Sequence, residues 1–120
     1  MSVKITAIAS QLPPYTRLTS EIIPYLKVWL SGQEERFQRK VVKLFENAGV
    51  ERRYSIMDAE DVFLQTSFEQ KNDVYKRETI KLAEKALLKA LEKGKLNPKD
   101  IDYIITVSCT GIMSPSVDAY

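Results

Sequence analysis

Residues 73–107 read DVYKRETIKLAEKALLKALEKGKLNPKDIDYIITV, and this stretch decides the architecture. From about Asp73 to Lys93, the residues Ile80, Ala83, Leu87, Ala90 and Leu91 form one apolar stripe at helical spacing, with lysines and glutamates covering the rest. The residues four places after Glu78 and Glu84 are Leu82 and Leu88, so the charged surface lacks those i,i+4 pairs and reads as ordinary solvated charge without a site. Gly94 ends the helix and Asn97-Pro98-Lys99-Asp100 is a turn. Ile101–Val107 then runs β-branched and largely apolar, as a strand buried on both faces does. A long helix feeding such a strand predicts a crossover onto a parallel sheet.

Outward from this unit, Val3, Ile5, Ala7 and Ala9 alternate as one face of a first strand over residues 3–9. Pro13-Pro14 ends it, because proline offers no N–H to a ladder, and an extended connection follows. A short helix over Pro24–Leu30, starting at Ser20 or Ile23, places Pro24 near its first turn, and Gly32 interrupts it. Ser31-Gly-Gln-Glu34 has the form of a capping box before a helix from Gln33 to about Ala48. Phe37, Val41, Leu44, Phe45 and Ala48 are its apolar residues, and Gly49 is placed to take a left-handed cap. Glu51-Arg52-Arg53-Tyr54 is a charged turn or short extended piece, and residues 57–75 read as a helical turn or two in an irregular excursion. Ser114-Pro115 resembles a helix start, with serine as N-cap and proline at the first helical position. Two strands and intervening helices make an α/β layer architecture whose open edges invite a larger sheet, so residues 1–120 read as the front part of a larger enzyme.

The composition narrows the chemistry. The chain has 120 residues, 44% of them hydrophobic, and no histidine, which excludes a Ser-His or Cys-His pair, a histidine base and a histidine-ligated metal within it. Eighteen Lys+Arg against sixteen Asp+Glu give a net charge of +2, too balanced to imply nucleic acid or an anionic membrane. Any anion site must therefore be local. The single cysteine, Cys109, allows no internal disulfide and fits a reducing cytoplasm. The N-terminus lacks the apolar run of a signal peptide, and no segment approaches the ~20 apolar residues of a membrane span.

Two places can carry chemistry. Arg36, Arg39, Lys40 and Lys43 stand at i, i+3, i+4 and i+7 of the capped helix and share one face. Such a face is either a phosphate site, with arginine binding bidentately and lysine as a point charge, or a solvated helix surface. Arg52 and Arg53 either extend the patch or face solvent. Cys109, followed by Thr110-Gly111, comes directly after the second predicted strand, where ligands gather in open α/β sheets. It reads as a pocket wall, a buried small hydrophobe or, with no basic neighbour to lower its pKa, a poorly equipped nucleophile. Trp29 and Tyr25 read as core or subunit contact, and no Walker, Rossmann, zinc or calcium signature is present.

Glu35-Arg-Phe-Gln-Arg-Lys-Val-Val-Lys-Leu-Phe-Glu-Asn-Ala-Gly-Val-Glu-Arg-Arg-Tyr54 resembles the "KFQR…K…I-K-R-R-Y" stretch near the start of the type III polyketide synthases, the chalcone and stilbene synthase family. Ile104-Ile-Thr-Val-Ser-Cys-Thr-Gly-Ile-Met-Ser-Pro-Ser-Val-Asp-Ala-Tyr120 is similar to that family's strand, turn and helix before its nucleophile, and the opening Ile-Thr-Ala-Ile-Ala-Ser fits its first strand. The resemblance implies an N-terminal part of a thiolase-like αβαβα layered fold, a homodimer, and transfer of acyl groups from coenzyme A thioesters. In that chemistry a cysteine is loaded with a starter acyl group and extended with malonyl-CoA, with a histidine and an asparagine assisting. All three belong to parts of the family sequence beyond residue 120, so the isolated chain is expected to be inactive.

By the same resemblance, Arg36, Arg39 and Lys43 fall on the family's coenzyme A phosphate ligands, with Arg36 standing where plant members usually have lysine. Cys109 matches a pocket-lining position, Thr110 the adjacent serine, and Ser114 a residue that in plant members is a methionine reaching across the dimer interface. No permanently bound cofactor is implied, and the expected partners are acyl-CoA, malonyl-CoA and a second copy of the chain. Two other readings share some of these features: a different thiolase-like acyl transferase, of the ketoacyl-ACP synthase III or hydroxymethylglutaryl-CoA synthase type, and a non-catalytic helix-rich binding module using the basic face.

Overall fold

The computed structural model describes residues 2–64 and 67–120, which form two compact units, residues 13–66 and residues 1–12 with 67–120. The order of elements is β1 (Tyr15–Leu18), α1 (Thr19–Trp29), α2 (Glu35–Asn47), β2 (Arg52–Ser55), α3 (Ala59–Leu64) and α4 (Phe68–Gly94), followed by single 3-10 turns at Pro98–Asp100 and Val117–Ala119.

In the first unit β1 and β2 pair antiparallel, with Tyr15 opposite Ser55 and Leu18 opposite Arg52. The extended piece expected at residues 51–54 is thus a strand, and the connection after Pro13-Pro14 becomes its partner. Helix α1 begins directly from β1, where Thr19 is buried, donates its hydroxyl to the Val50 carbonyl and its N–H to the Glu51 carbonyl at 2.8 Å. That anchor starts the helix earlier than expected and leaves Pro24 in its interior, where the missing N–H forgoes the bond to the Ser20 carbonyl. Leu26 and Leu30, at 3% and 2% exposure, with Ala59 at 8%, make the small core against which α2 and α3 pack.

The α2 helix lies where the spacing predicts it, and Gly49 takes the left-handed conformation at φ 67°. Its start differs. Ser31 is used in closing α1, its N–H bonded to the Val28 carbonyl at 3.1 Å, so the predicted capping box does not form and Glu34 precedes the helix without a side-chain cap. Trp29 is 59% exposed and tilted against Phe63 at 6.0 Å, so it is not core.

In the second unit α4 starts five residues before Asp73, capped by Ser67, whose Oγ accepts from Gln70 N at 3.1 Å. Within the excursion expected at residues 57–75, α3 supplies the helical turns, and residues 65 and 66 lie outside the described ones. The helix ends on a left-handed Lys95 (φ 52°), one residue later than the glycine expected to end it. Leu96 N reaches the Leu91 carbonyl at 3.0 Å, the wrap that such a cap makes. Gly94 stays helical, and a methyl group there would stand 3.5 Å from the Ala7 side chain. Residues 8–11 are tied to the same helix, with Lys93 Nζ donating to the Ile8 carbonyl at 3.2 Å and Lys89 Nζ to Gln11 Oε1 at 2.5 Å. Glu78 is paired: it accepts from Lys81 at 3.0 Å and Arg77 at 2.8 Å, partners at i+3 and i−1 and not at the i+4 position held by Leu82.

Neither predicted strand carries a ladder among the described residues. Segment 3–9 leaves Val3 and Ile5 at 97% and 80% exposure, and segment 101–107 leaves Tyr103 and Val107 at 90% and 93%, so the latter is not buried on both faces. Alternation sets which way side chains point, but a strand also needs a second backbone to bond, and here residues 104–106 border a cavity whose other wall is the small-residue face of α4 at Ala83, Ala86 and Ala90. Among the described residues the sheet is the β1–β2 ribbon, Tyr15–Leu18 with Arg52–Ser55, and not a parallel crossover. The helix expected at Ser114-Pro115 is likewise absent, replaced by the 3-10 turn after Ser116.

Candidate functional site

The basic face stands on α2 as the spacing predicts, and all of Arg36, Arg39, Lys40 and Lys43 are exposed. An open groove of about 550 Å³ runs beside it, lined by Arg39, Lys43, Val42, Glu35, Glu46 and, from α1, Lys27. Arg39 and Lys43 are therefore brought together, whereas Arg36 lies outside the groove wall. Lys27 is a cation that one-helix periodicity could not assign, because only the packing of α1 on α2 brings it there. Arg39 Nη1 donates to Glu35 Oε1 at 2.7 Å, with both side chains largely exposed, so this ion pair is weak and an incoming anion can exchange with it.

Arg52 and Arg53 do not extend that face. Arg53 stacks its guanidinium over the Phe45 ring at 4.4 Å and donates Nε to Thr19 Oγ1 at 3.2 Å, on the β-ribbon side of α2. Nearby, Arg17 holds Asp58 through two hydrogen bonds of 2.7 and 2.9 Å. That contact keeps the Asp58 carboxyl below the usual range, helped by the Ala59 N–H, and raises Arg17 above its ordinary value. Tyr25 is pushed up because its hydroxyl donates to Glu60, at 3.0 Å.

In the other unit, Cys109 and Thr110 sit in an exposed turn, which overturns the buried-hydrophobe reading of the cysteine. Helix α4 holds this turn from below. The Tyr75 hydroxyl donates to Ser108 Oγ at 2.5 Å, and Asn72 Oδ1 accepts from Ile112 N at 2.8 Å. Gly111 lies against the Tyr75 ring so closely that an added methyl group would come within 2.3 Å of it. Tyr75 and Asn72 escaped sequence reading because they stand in the first turns of α4, ahead of the clear apolar stripe. Ser114 is exposed in the bend that follows. Thr106 bonds to Ser116 Oγ at 2.8 Å and Asp118 Oδ1 at 3.0 Å, and the Ser116 hydroxyl foremost holds the Asp118 carboxyl below its usual range. No helix is long and apolar enough to cross a membrane among the described residues.

No family model matches the chain. Individual proteins do. Over 79 residues, 66% of the chain, it is 40% identical to 1,3,6,8-tetrahydroxynaphthalene synthase of Streptomyces coelicolor, covering 21% of that protein. It is 31% identical over 78 residues, 65% of the chain, to phloroglucinol synthase of Pseudomonas fluorescens, covering 22% of it. The crystal structure of the Streptomyces coelicolor A3(2) tetrahydroxynaphthalene synthase, a bacterial type III polyketide synthase, superimposes with a TM-score of 0.79 at 31% identity, over 92% of this chain and 31% of that one. The α/β class and the thiolase-like fold follow from that superposition, since the chain alone shows only the helix-rich part of it. In sequence and in fold the chain corresponds to part of a type III polyketide synthase, and its 21–31% coverage of those relatives fits a match to the family's N-terminal portion.

Proposed function

We propose that the chain is the coenzyme A-facing part of an acyltransferase that condenses an acyl-CoA starter with malonyl-CoA to build a polyketide. In this reading Arg39 and Lys43, with Arg36 at the edge, hold the phosphates of the coenzyme A thioester. The observation that supports it most is that Arg39 and Lys43 line one groove and are joined there by Lys27 of a second helix. Convergence of cations from two elements favours a multiply charged anion more than a row on one helix does. Cys109, Thr110 and Ser114 belong in this reading to the wall of the acyl pocket, and the working form is a homodimer in a reducing, cytoplasmic compartment. Coenzyme A thioesters are substrates, and no resident cofactor is invoked.

The test is coenzyme A binding to the 120-residue chain, measured by calorimetry at low salt, before and after Arg39→Ala combined with Lys43→Ala. Affinity should fall by at least about tenfold, the scale of losing charge-assisted bonds to phosphate, and Lys27→Ala should weaken binding by a smaller factor. Glu35→Gln should strengthen it about twofold by freeing Arg39. Unchanged affinity in the double variant, with an unaltered circular dichroism melt, overturns the clamp.

A further inference from the structure

A second cavity, of about 270 Å³, lies in the first unit between the β1–β2 ribbon, Phe45 of α2 and α3. Its wall is apolar over Phe45, Met57, Val62 and Phe63, and carries three charged side chains, Arg17, Arg53 and Asp58. Arg17 and Asp58 neutralise each other through their two hydrogen bonds. Arg53 is different. It is half-buried, its Nε is committed to Thr19 and its face to the Phe45 ring, but among the described residues no carboxylate pairs with its guanidinium. Among the described residues, Arg53 is thus the cation at this apolar wall whose terminal N–H groups have no hydrogen-bond partner.

We propose that this cavity binds a small amphiphilic carboxylate, its apolar body against Phe45, Met57, Val62 and Phe63 and its carboxylate on the Arg53 guanidinium. The size fits. At ~30 Å³ per atom of liquid density, 270 Å³ holds roughly nine heavy atoms, and apolar cavities of about 150 Å³ already hold benzene. The charge fits as well, since one planar guanidinium fork matches one planar carboxylate, whereas a phosphate dianion would bring a second charge that no further unpaired cation among the described lining residues meets. This site is separate from the groove of Lys27, Arg39 and Lys43 and does not rest on the coenzyme A reading.

Octanoate, octanol and octylammonium, titrated into the 120-residue chain and followed by NMR chemical shifts, distinguish the outcomes. Octanoate is expected to bind at least about tenfold more tightly than octanol and octylammonium more weakly than either. The largest shifts should fall on Phe45, Met57 and Phe63. Arg53→Gln should remove the advantage of octanoate while leaving octanol binding, and Arg39→Ala with Lys43→Ala should change neither. Equal affinity for octanoate and octanol in the unsubstituted chain, no saturable binding, or shifts centred on other residues each overturn the proposal without needing a folded variant.

Discussion

At the residue scale, Gly111 is the glycine where an added β-carbon would meet the closest neighbour. Its φ is not the constraint; the Tyr75 ring occupies the space a β-carbon would need. Gly111→Ala must push the ring away or lift the turn, and overpacking of this kind costs about 1–3 kcal/mol. We expect a lowered melting temperature and, because Tyr75 can no longer reach Ser108, faster alkylation or altered chemical shift at Cys109, two residues away in the same turn. An unchanged melt and unchanged Cys109 reactivity would contradict the contact. Residue identity made Gly49 readable as a left-handed cap, since turn chemistry is local. It could not make Gly111 readable, because the crowding comes from a side chain thirty-six positions earlier in the chain.

At the element scale, the Arg17–Asp58 contact ties β1 to the beginning of α3, and it carries a pH dependence. The Arg17 guanidinium, then the Ala59 N–H, hold the Asp58 carboxyl below its ordinary value. A carboxyl depressed in the folded state contributes stability that is present above its unfolded pKa, about 3.9, and is lost as pH falls through the folded value. The melting temperature should therefore be flat in this contribution from neutral pH down to about 4 and decline below it. Asp58→Asn should lower the melting temperature at pH 7 and flatten the acid decline; an equally steep decline in the variant would assign the acid sensitivity to other carboxyls. The helices α2 and α4 were legible because their apolar and basic residues repeat within one element. The β1–β2 ribbon was only half legible, as its pairing depends on Thr19 joining the Val50 and Glu51 carbonyls across thirty residues.

At the scale of the whole molecule, the chain holds no histidine and its one cysteine is exposed in a turn, so it lacks an imidazole to assist a thiolate. We expect the purified 120-residue chain to release no carbon dioxide from malonyl-CoA above a boiled control, even where it binds coenzyme A. Turnover above that control would show that condensing chemistry can be assembled without the residues that the family resemblance places elsewhere. The exposed segments 3–9 and 101–107 belong to the same scale, because their β-branched, apolar composition is a property of the strand and their burial is a property of its neighbours.

The sequence by itself determined the two amphipathic helices, the basic row on α2, the glycine cap at Gly49 and the kinship carried by residues 35–54 and 104–120, since each rests on periodicity, local turn chemistry or residue order. Only the tertiary structure decided that Lys27 joins Arg39 and Lys43, that Arg53 turns to the opposite side onto Phe45, and that residues 104–106 border a cavity with α4 and carry no ladder. Those outcomes depend on which distant residue arrives at a given face, and the packing of one element on another supplies that.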